Sequence, residues 1–234
     1  CFCKLSDCSC VYLVLSLVLV QKSNVIKMVE NTVYTIGHSN HSIEYFIELL
    51  QAFSIDCVID VRSVAGSSYN PQYNREALQR ALKSYNIAYL FFGKEFGARH
   101  SSEELLDLED GKVDYEKVRQ TSHFKNGVER LKDGITKGHK IALMCSEADP
   151  FDCHRFSMIS IFLEKSGINV RHILKDKTIV KNKELEKKLL KKYAKKIPQP
   201  SLFEPDISLE NQIDYAYKLR NKDIAHVSSG KNLI

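Results

Sequence analysis

The sequence has no glycine-rich loop of the kind that binds phosphate or dinucleotides, no internal repeat and no low-complexity segment. These absences argue against P-loop and dinucleotide-binding enzymes and against repeat proteins, and 44% hydrophobic residues argue against a disordered chain. No apolar run reaches the ~20 residues that a helix needs to span a bilayer. The longest, Val11 to Val20, is interrupted by Ser16 and would suit only the core of a signal peptide.

Cysteine is scarce beyond the first ten residues. Four of the seven cysteines precede residue 11, and the rest of the chain contains only Cys57, Cys145 and Cys153. An odd number of cysteines, one of them inside a predicted strand, argues against a disulfide framework and for a reducing compartment. We therefore predict a cytoplasmic protein without membrane contact.

The first 27 residues are predicted to lie outside the folded domain. The chain begins with Cys1, and Met28 stands directly before the first region of strand and helix periodicity. Residues 1–27 are interpreted as upstream sequence or a leader, with a targeting segment or a structured extension as alternatives. Residues 28–234 are predicted to form a single α/β domain whose basic C-terminal helical part covers about residues 175–234.

Positive charge is concentrated in that C-terminal part. Ten lysines and three acidic residues lie between Lys175 and Lys196, whereas the formal net charge of the whole chain is only +5. Leu185, Leu189 and Tyr193 recur at helical spacing, which predicts a packed helix over Lys183–Lys196 with its lysines outward. This basic segment is either a solvated helix face or a surface for nucleic acid or another polyanion.

Short apolar runs alternate with amphipathic segments along the rest of the chain. Strands are predicted at Val33–Ile36, Cys57–Ile59, Ile87–Phe92, Lys140–Cys145 and Asn169–Leu174. Helices are predicted at Ser42–Phe53, Asn74–Tyr85, Tyr115–Asp133 and Phe156–Lys165. The alternation predicts an α/β fold with a mainly parallel sheet and helices on both faces, a Rossmann-like or rhodanese-like three-layer arrangement followed by C-terminal helices.

Polar and reactive side chains follow most of the predicted strands. Because the carboxyl ends of parallel strands meet at one edge of a sheet, side chains far apart in sequence are predicted to converge there. The candidate residues are Gly37, His38, Ser39, Asp60, Arg62, Arg99, Cys145, Glu147, Cys153, His154 and Arg155. The sequence therefore predicts one polar site, built from several loops.

Three candidates for catalysis surround the fourth strand end. Cys145 is either an activated thiolate near a helix N-terminus or a buried small side chain. Glu147 is predicted to face solvent or a partner, because an unpaired buried carboxylate is costly. His154 is either a general acid or base or a helix-capping side chain. If the protein is an enzyme, these residues indicate a hydrolase or a transferase.

Two further catalytic candidates, His38 and Asp60, follow the first two strands. Gly37 permits a tight turn that would bring His38 and Ser39 toward a ligand. Asp60 and Arg62 are two residues apart, so their side chains face the same side of the strand. They either belong to the site or form a structural ion pair.

The remaining candidates are predicted to bind the ligand. Arg155 lies at a helix start, where the helix dipole disfavours a cation unless an anion is near. Its predicted partner is a ligand phosphate or, alternatively, the carboxylate of Asp60 or Glu147. Arg99, beyond the third strand, and Cys153, beside the helix start, complete the ligand-binding set together with Gly37, Ser39 and Arg62.

Five motifs that occur in order resemble the domain of unknown function 488 family: Tyr34–Ser39, Asp60–Arg62, Gly93–Arg99, Cys145 with Glu147, and Cys153–Arg155 followed by His172 and Ile173. The resemblance covers Thr32 to His226 and implies an α/β domain, without implying an activity. This family usually has a proline where the chain has Val64 or Ala65, which implies a less rigid loop here.

Three functions are compatible with these residues. The first is an enzyme or binding domain for an anionic, phosphate-bearing ligand, a nucleotide or nucleic acid, held through Arg155 and the basic segment. The second is a rhodanese-like sulfurtransferase that uses Cys145, since the Asp60–Arg62 strand and the cysteine loop are similar to those of rhodaneses. Arg155, however, lies ten positions after the cysteine instead of about six.

The third function is a non-catalytic module in which Cys145, Cys153 and His154, with or without His38, hold zinc. The spacing of these residues is unlike the usual close pair of cysteines in zinc sites. Neither a metal nor a cofactor is therefore assigned from the sequence.

Overall fold

The structure, a computed structural model, describes residues 31–200 and 207–228, so the interpretation of residues 1–27 lies outside the described residues. The strands are β1 Thr32–Gly37, β2 Cys57–Asp60, β3 Ala88–Phe91, β4 Ile141–Cys145, β5 Asn169–Ile173 and β6 Ile179–Lys181. They form one sheet in the order β3-β2-β4-β1-β5-β6. The first five strands are parallel, as predicted, and β6 pairs antiparallel with β5.

Eight α-helices occur in the described part of the chain: α1 Ile43–Ala52, α2 Arg75–Lys83, α3 Gly93–Phe96, α4 Tyr115–Gln120, α5 Ser122–Thr136, α6 Ile161–Lys165, α7 Asn182–Tyr193 and α8 Leu209–Ile224. Short 3-10 turns lie at Pro71–Tyr73, Glu103–Leu105 and Pro150–Asp152, and a π-helix covers Arg155–Ser160. Within the described ranges, no helix combines the length and apolarity that crossing a membrane requires.

The sheet is covered on both faces, because alternate side chains of each strand point to opposite layers. On one face, Val58 and Met144 pack with the apolar sides of α1 and α2. On the other face, Ile59 and Leu143 pack with α4, α5 and α6. The predicted three-layer α/β fold is confirmed, and its packed layers fix the positions of the strand ends.

Two predicted helices differ from the observed ones. The segment predicted as one helix over Tyr115–Asp133 is two helices, because Thr121 has extended backbone (φ −64°, ψ 150°) and its hydroxyl caps α5. The segment Phe156–Lys165 begins within the π-helix, where the Ser160 hydroxyl donates to the carbonyl of Arg155 (2.6 Å). The spacing of apolar residues does not by itself predict whether a helical segment is continuous, divided in two or partly a π-helix.

The predicted apolar stripe of the basic segment is confirmed. Leu185, Leu189 and Tyr193 of α7 are buried in a third cluster with α8 and the π-helix. Part of the lysine face is bound to the protein itself, since the Lys188 ammonium lies 3.1 Å from the Asp149 carboxylate and 4.3 Å from the Phe151 ring centre. The nucleic-acid role of this segment stays a prediction.

A buried polar network connects β1, β5, α7 and α8. The Asn182 Oδ1 atom, which can only accept, lies 3.2 Å from His172 Nε2, so that nitrogen carries the proton. Nδ1 then accepts from the Thr35 hydroxyl at 2.8 Å. The Asn182 amide nitrogen contacts Glu186 and Tyr217 at 3.0 and 3.3 Å. The network therefore fits a neutral His172.

We expect this neutral histidine to make stability depend on pH. Burial lowers the pKa of His172 to about 3, with a further decrease from the Arg155 charge. Below the ordinary pKa of 6.5, the unfolded chain takes up a proton that the folded chain does not. The free energy of unfolding contributed by this group is thus complete above pH ~6.5 and falls by about 1.4 kcal/mol per pH unit as the pH decreases toward 3.

Urea unfolding at several pH values tests this expectation. A His172→Gln variant keeps an amide that can donate and accept but has no titrating ring. Its free energy of unfolding should fall less steeply with decreasing pH than that of the wild type. Equal slopes for the two proteins would contradict the proposed role of His172.

Candidate functional site

Three neighbouring strands end beside one cleft. The N–H groups of His38 and Val61 donate to the carbonyls of Cys145 and Met144 at 2.9 and 3.0 Å, which extends the β1–β4–β2 ladder past the strand ends. The cleft has a volume of about 700 Å³. It is lined by eight of the predicted site residues: His38, Ser39, Arg62, Arg99, Cys145, Glu147, Cys153 and His154. The predicted convergence thus holds for most of the set.

Gly37 allows two backbone segments to meet beneath the cleft. The tight turn expected at Gly37 is made at Ser39, whose φ is 49°. A Cβ atom on Gly37 would lie only 1.9 Å from the carbonyl oxygen of Glu147. The missing side chain therefore lets the loop after Cys145 pack directly on the end of β1.

Asp60 and Arg62 form a buried ion pair below the cleft surface. Asp60 Oδ2 lies 2.6 Å from Arg62 Nη2, and Oδ1 accepts from Arg62 Nε at 2.9 Å. The Tyr89 hydroxyl also donates to Oδ2 (2.8 Å), and Arg62 Nη2 donates to the Tyr73 carbonyl (2.7 Å). Asp60 is fully buried and both of its oxygens have donors. The structural pair that the sequence left open is the arrangement found.

His38 is held by contacts on three sides. Its Nδ1 lies 2.7 Å from the Ser39 carbonyl oxygen, which can only accept, so Nδ1 carries the proton. Nε2 then accepts from Arg62 Nη1 (3.2 Å), and the ring stacks on Tyr73 with centroids 4.0 Å apart. Burial, with a smaller contribution from the Arg62 charge, lowers the pKa of His38 to about 4 despite the Ser39 hydrogen bond. His38 is therefore neutral at pH 7.

Four further side chains that line the cleft lie close together. The Cys145 and Cys153 thiols lie 2.8 and 3.1 Å from Glu147 Oε2, and each sulfur is 3.7 Å from His154 Nδ1. One ligand atom from each residue lies within 4.8 Å of all the others. These are the described residues that could hold a metal ion, and His38 is not among them.

Burial and mutual charge control the ionisation of these groups. Burial raises the pKa of Cys145 well above its usual value, and the neighbouring Cys153 and Glu147 add to this effect. Burial also acts to raise the pKa of Cys153, but the Cys145 hydrogen bond and the Arg155 charge reverse it and hold the pKa below its usual value. Burial raises the pKa of Glu147 as well. Of the two thiols, Cys153 is therefore the one that ionises more easily.

Arg155 lies behind the cluster and not in the cleft. Its side chain is fully buried, with Nη1 and Nη2 donating to the carbonyls of Glu147 and Ala148 at 2.7 and 3.1 Å. The predicted alternative partners, the carboxylates of Asp60 and Glu147, form no ion pair with it. Its burial does not support direct contact with a ligand, so Arg155 is better described as holding the Glu147 loop.

Two tyrosines that complete the site were missed in the sequence. Tyr73 stacks on His38 and accepts from Arg62 through its carbonyl, and Tyr89 donates to Asp60. Tyr73 belongs to a 3-10 turn after Asn70-Pro71, a turn signal that could have marked a structured loop. Tyr89 had no comparable signal, because an aromatic residue in a strand is usually a packing residue.

Comparison with known proteins gives one family match. Residues 42–161, just over half of the chain, match the family described as "Domain of unknown function DUF488". The match is shorter than the resemblance seen in the sequence and leaves out the Tyr34–Ser39 motif and the residues His172 and Ile173. No curated protein and no solved structure matches the chain. The rhodanese-like similarity and the cytoplasmic location stay predictions.

Proposed function

The chain belongs to the DUF488 family, and because that family name assigns no activity, we propose from the site alone that the cleft binds a small anionic ligand with a phosphate group. A nucleotide is the class that suits a cleft of about 700 Å³. Pockets of roughly 300–1,000 Å³ accommodate ligands of this size.

The convergence of cationic and neutral hydrogen-bonding groups on one cleft carries this proposal. Arg99 is exposed at the cleft and forms no ion pair with a carboxylate in the described parts of the chain. Arg62 and the neutral His38 line the same cleft, with Arg62 Nη1 directed to His38 Nε2. Guanidinium groups bind phosphate oxygens through paired, charge-assisted hydrogen bonds. Arg99 is therefore the expected anchor of the ligand.

Thermal unfolding of the full chain with 5′-AMP, inorganic phosphate and adenosine tests this proposal. We expect 5′-AMP to raise the melting temperature, since saturation at 100 times Kd adds about 2.7 kcal/mol to stability. Adenosine, which has no phosphate, should produce little change. The anion site is rejected if adenosine raises the melting temperature as much as 5′-AMP does. It is also rejected if neither 5′-AMP nor phosphate raises the melting temperature.

A pair of arginine variants locates the binding. Arg99→Ala should remove the stabilisation by 5′-AMP. Arg80→Ala serves as the control, because Arg80 is also exposed but lies on α2 away from the cleft. If both variants keep the full effect, the ligand binds elsewhere.

The sulfurtransferase alternative has less support from the site. A persulfide carrier must present its sulfur to thiosulfate and cyanide, whereas Cys145 is only 3% exposed and burial raises the pKa of its thiol. The loop that follows it is held by Arg155 through carbonyl groups, so its backbone does not wrap around an anion near the sulfur. Cyanide-dependent turnover of thiosulfate by the purified chain would reverse this judgement.

A further inference from the structure

We propose that Cys145, Cys153, His154 and Glu147 bind a zinc ion in the wall of the cleft. The inference goes beyond the anion-binding function and does not depend on it. Two thiolates and an imidazole are ligands that select zinc among the common divalent ions, and a carboxylate completes a four-coordinate site. The four ligand atoms already lie within 4.8 Å of one another.

The distances between these atoms are close to those that a bound ion would impose. Atoms about 2.0 and 2.3 Å from a tetrahedral ion lie roughly 3.5 Å apart. Each sulfur lies 3.7 Å from His154 Nδ1. The contacts of Glu147 Oε2 with the sulfurs, 2.8 and 3.1 Å, are shorter and correspond to S–H···O hydrogen bonds. Glu147 belongs to an exposed loop, so its carboxylate can withdraw as an ion replaces the two protons.

The backbone already orients the histidine as a ligand. His154 Nε2 lies 3.1 Å from the carbonyl oxygen of Val61, which can only accept, so Nε2 carries the ring proton. In the neutral ring, Nδ1 then has the lone pair, and this atom lies 3.7 Å from both sulfurs. A carbonyl behind the distal ring nitrogen is the usual support of a metal-binding histidine. Val61 itself is fixed by its hydrogen bond to Met144 in β4.

The buried charge of Arg155 is a second, independent indication of a metal centre at this cluster. It is 0% exposed and, among the residues that the structure describes, has no carboxylate ion-pair partner. Its Nε is buried without a hydrogen-bond partner in the same residues. A buried cation needs a compensating negative charge nearby. The backbone N–H of Arg155 lies 3.5 Å from the Cys153 sulfur, which places the cysteine pair beside this residue.

A zinc centre provides that compensation. Two thiolates, one carboxylate, a neutral imidazole and Zn²⁺ together carry a single negative charge, which one guanidinium balances. Because Glu147 lies on the cleft side, it is also the ligand that a water molecule or a substrate oxygen can displace.

The test is metal analysis of the full chain, followed by metal removal with a chelator and anaerobic titration with Co²⁺. We expect about one zinc per purified chain, and thiolate-to-cobalt charge-transfer absorption that Zn²⁺ abolishes. Cys153→Ser and Cys145→Ser should each lose that absorption. Cys57→Ala is the matched control, because Cys57 is also a buried cysteine but lies at the start of β2 outside the cluster.

A Glu147→Gln variant covers the case in which the cysteine variants do not fold. Residue 147 lies on an exposed loop, so the variant should fold. Its affinity for zinc, measured by competition with a chromophoric chelator, should be at least ~10-fold lower than that of the wild type. The proposal is overturned if the purified chain holds no zinc and Co²⁺ gives no thiolate band. It is also overturned if Cys57→Ala loses the band as completely as the cluster variants, or if mass analysis shows a Cys145–Cys153 disulfide in freshly purified anaerobic protein.

The outcomes for zinc and for the anionic ligand can be separated. Thermal stabilisation by 5′-AMP is measured on the metal-free and the zinc-loaded chain, and Arg99→Ala should keep the cobalt band. Zinc binding without any effect of 5′-AMP would reject only the anion site. An effect of 5′-AMP without a cobalt band would reject only the metal site.

Discussion

Asp60→Asn is expected to lower the free energy of unfolding by about 3–5 kcal/mol, because it leaves Arg62 as a buried charge without a counter-ion. Asp60 is fully buried and Arg62 is 5% exposed. The carboxylate accepts from the backbone N–H, Nε and Nη2 of Arg62 and from the Tyr89 hydroxyl. Urea unfolding at pH 7 measures the loss.

A double-mutant cycle with Arg62→Met separates the ion pair from other effects. Arg62→Met alone leaves a buried carboxylate without its cation and should be similarly destabilising. The double variant should lose less free energy of unfolding than the two single variants lose together. The reason is that the double variant leaves neither a buried cation nor a buried carboxylate without its partner. Strictly additive losses would show that the two groups do not act as a pair.

A surface pair serves as the control for this cycle. Asp133 and Lys137 lie one turn apart at the end of α5, with their charged groups 2.6 Å apart and both side chains exposed. Asp133→Asn should change stability by less than about 1 kcal/mol, because solvent screens exposed ion pairs. If Asp133→Asn lowers the free energy of unfolding as much as Asp60→Asn does, the loss is caused by the change from carboxylate to amide and not by the burial of the ion pair.

Gly37→Ala is expected to destabilise the fold by about 3 kcal/mol, the upper part of the range for overpacked sites. The added methyl group would lie 1.9 Å from the carbonyl oxygen and 2.8 Å from the carbonyl carbon of Glu147. These are backbone atoms, which cannot move aside as a flexible side chain can. Either the end of β1 or the loop that carries Glu147 must therefore shift.

Gly66→Ala is the matched control for this substitution. The nearest atom to a Cβ on Gly66 is Asn74 Oδ1 at 3.9 Å, and Gly66 has no positive φ. Replacement there should be neutral or stabilise by up to about 1 kcal/mol, because alanine restricts the unfolded chain. Chemical denaturation compares the two variants. Equal stability of Gly37→Ala and Gly66→Ala would contradict the close approach at Gly37.

The two strand-end motifs illustrate how far the sequence could lead. The two-residue spacing at the end of β2 predicted that Asp60 and Arg62 could meet, as they do, but it could not distinguish a buried pair from two site residues. That distinction depends on Tyr73 and Tyr89, which approach from other elements. At Gly37, glycine was predicted to matter, but for a turn that Ser39 makes. The contact that requires glycine comes from Glu147, more than a hundred residues later.

Strand and helix periodicity by itself determined the α/β architecture, the parallel strands and the edge at which the polar residues converge, because those features follow from local backbone geometry and from apolar burial. Only the tertiary structure decided what the polar residues do there. It buries Arg155 behind the loop, pairs Asp60 with Arg62, and brings Glu147 between two cysteines and His154. Those outcomes depend on contacts between distant segments and on the loss of solvent around charges, neither of which a local pattern contains.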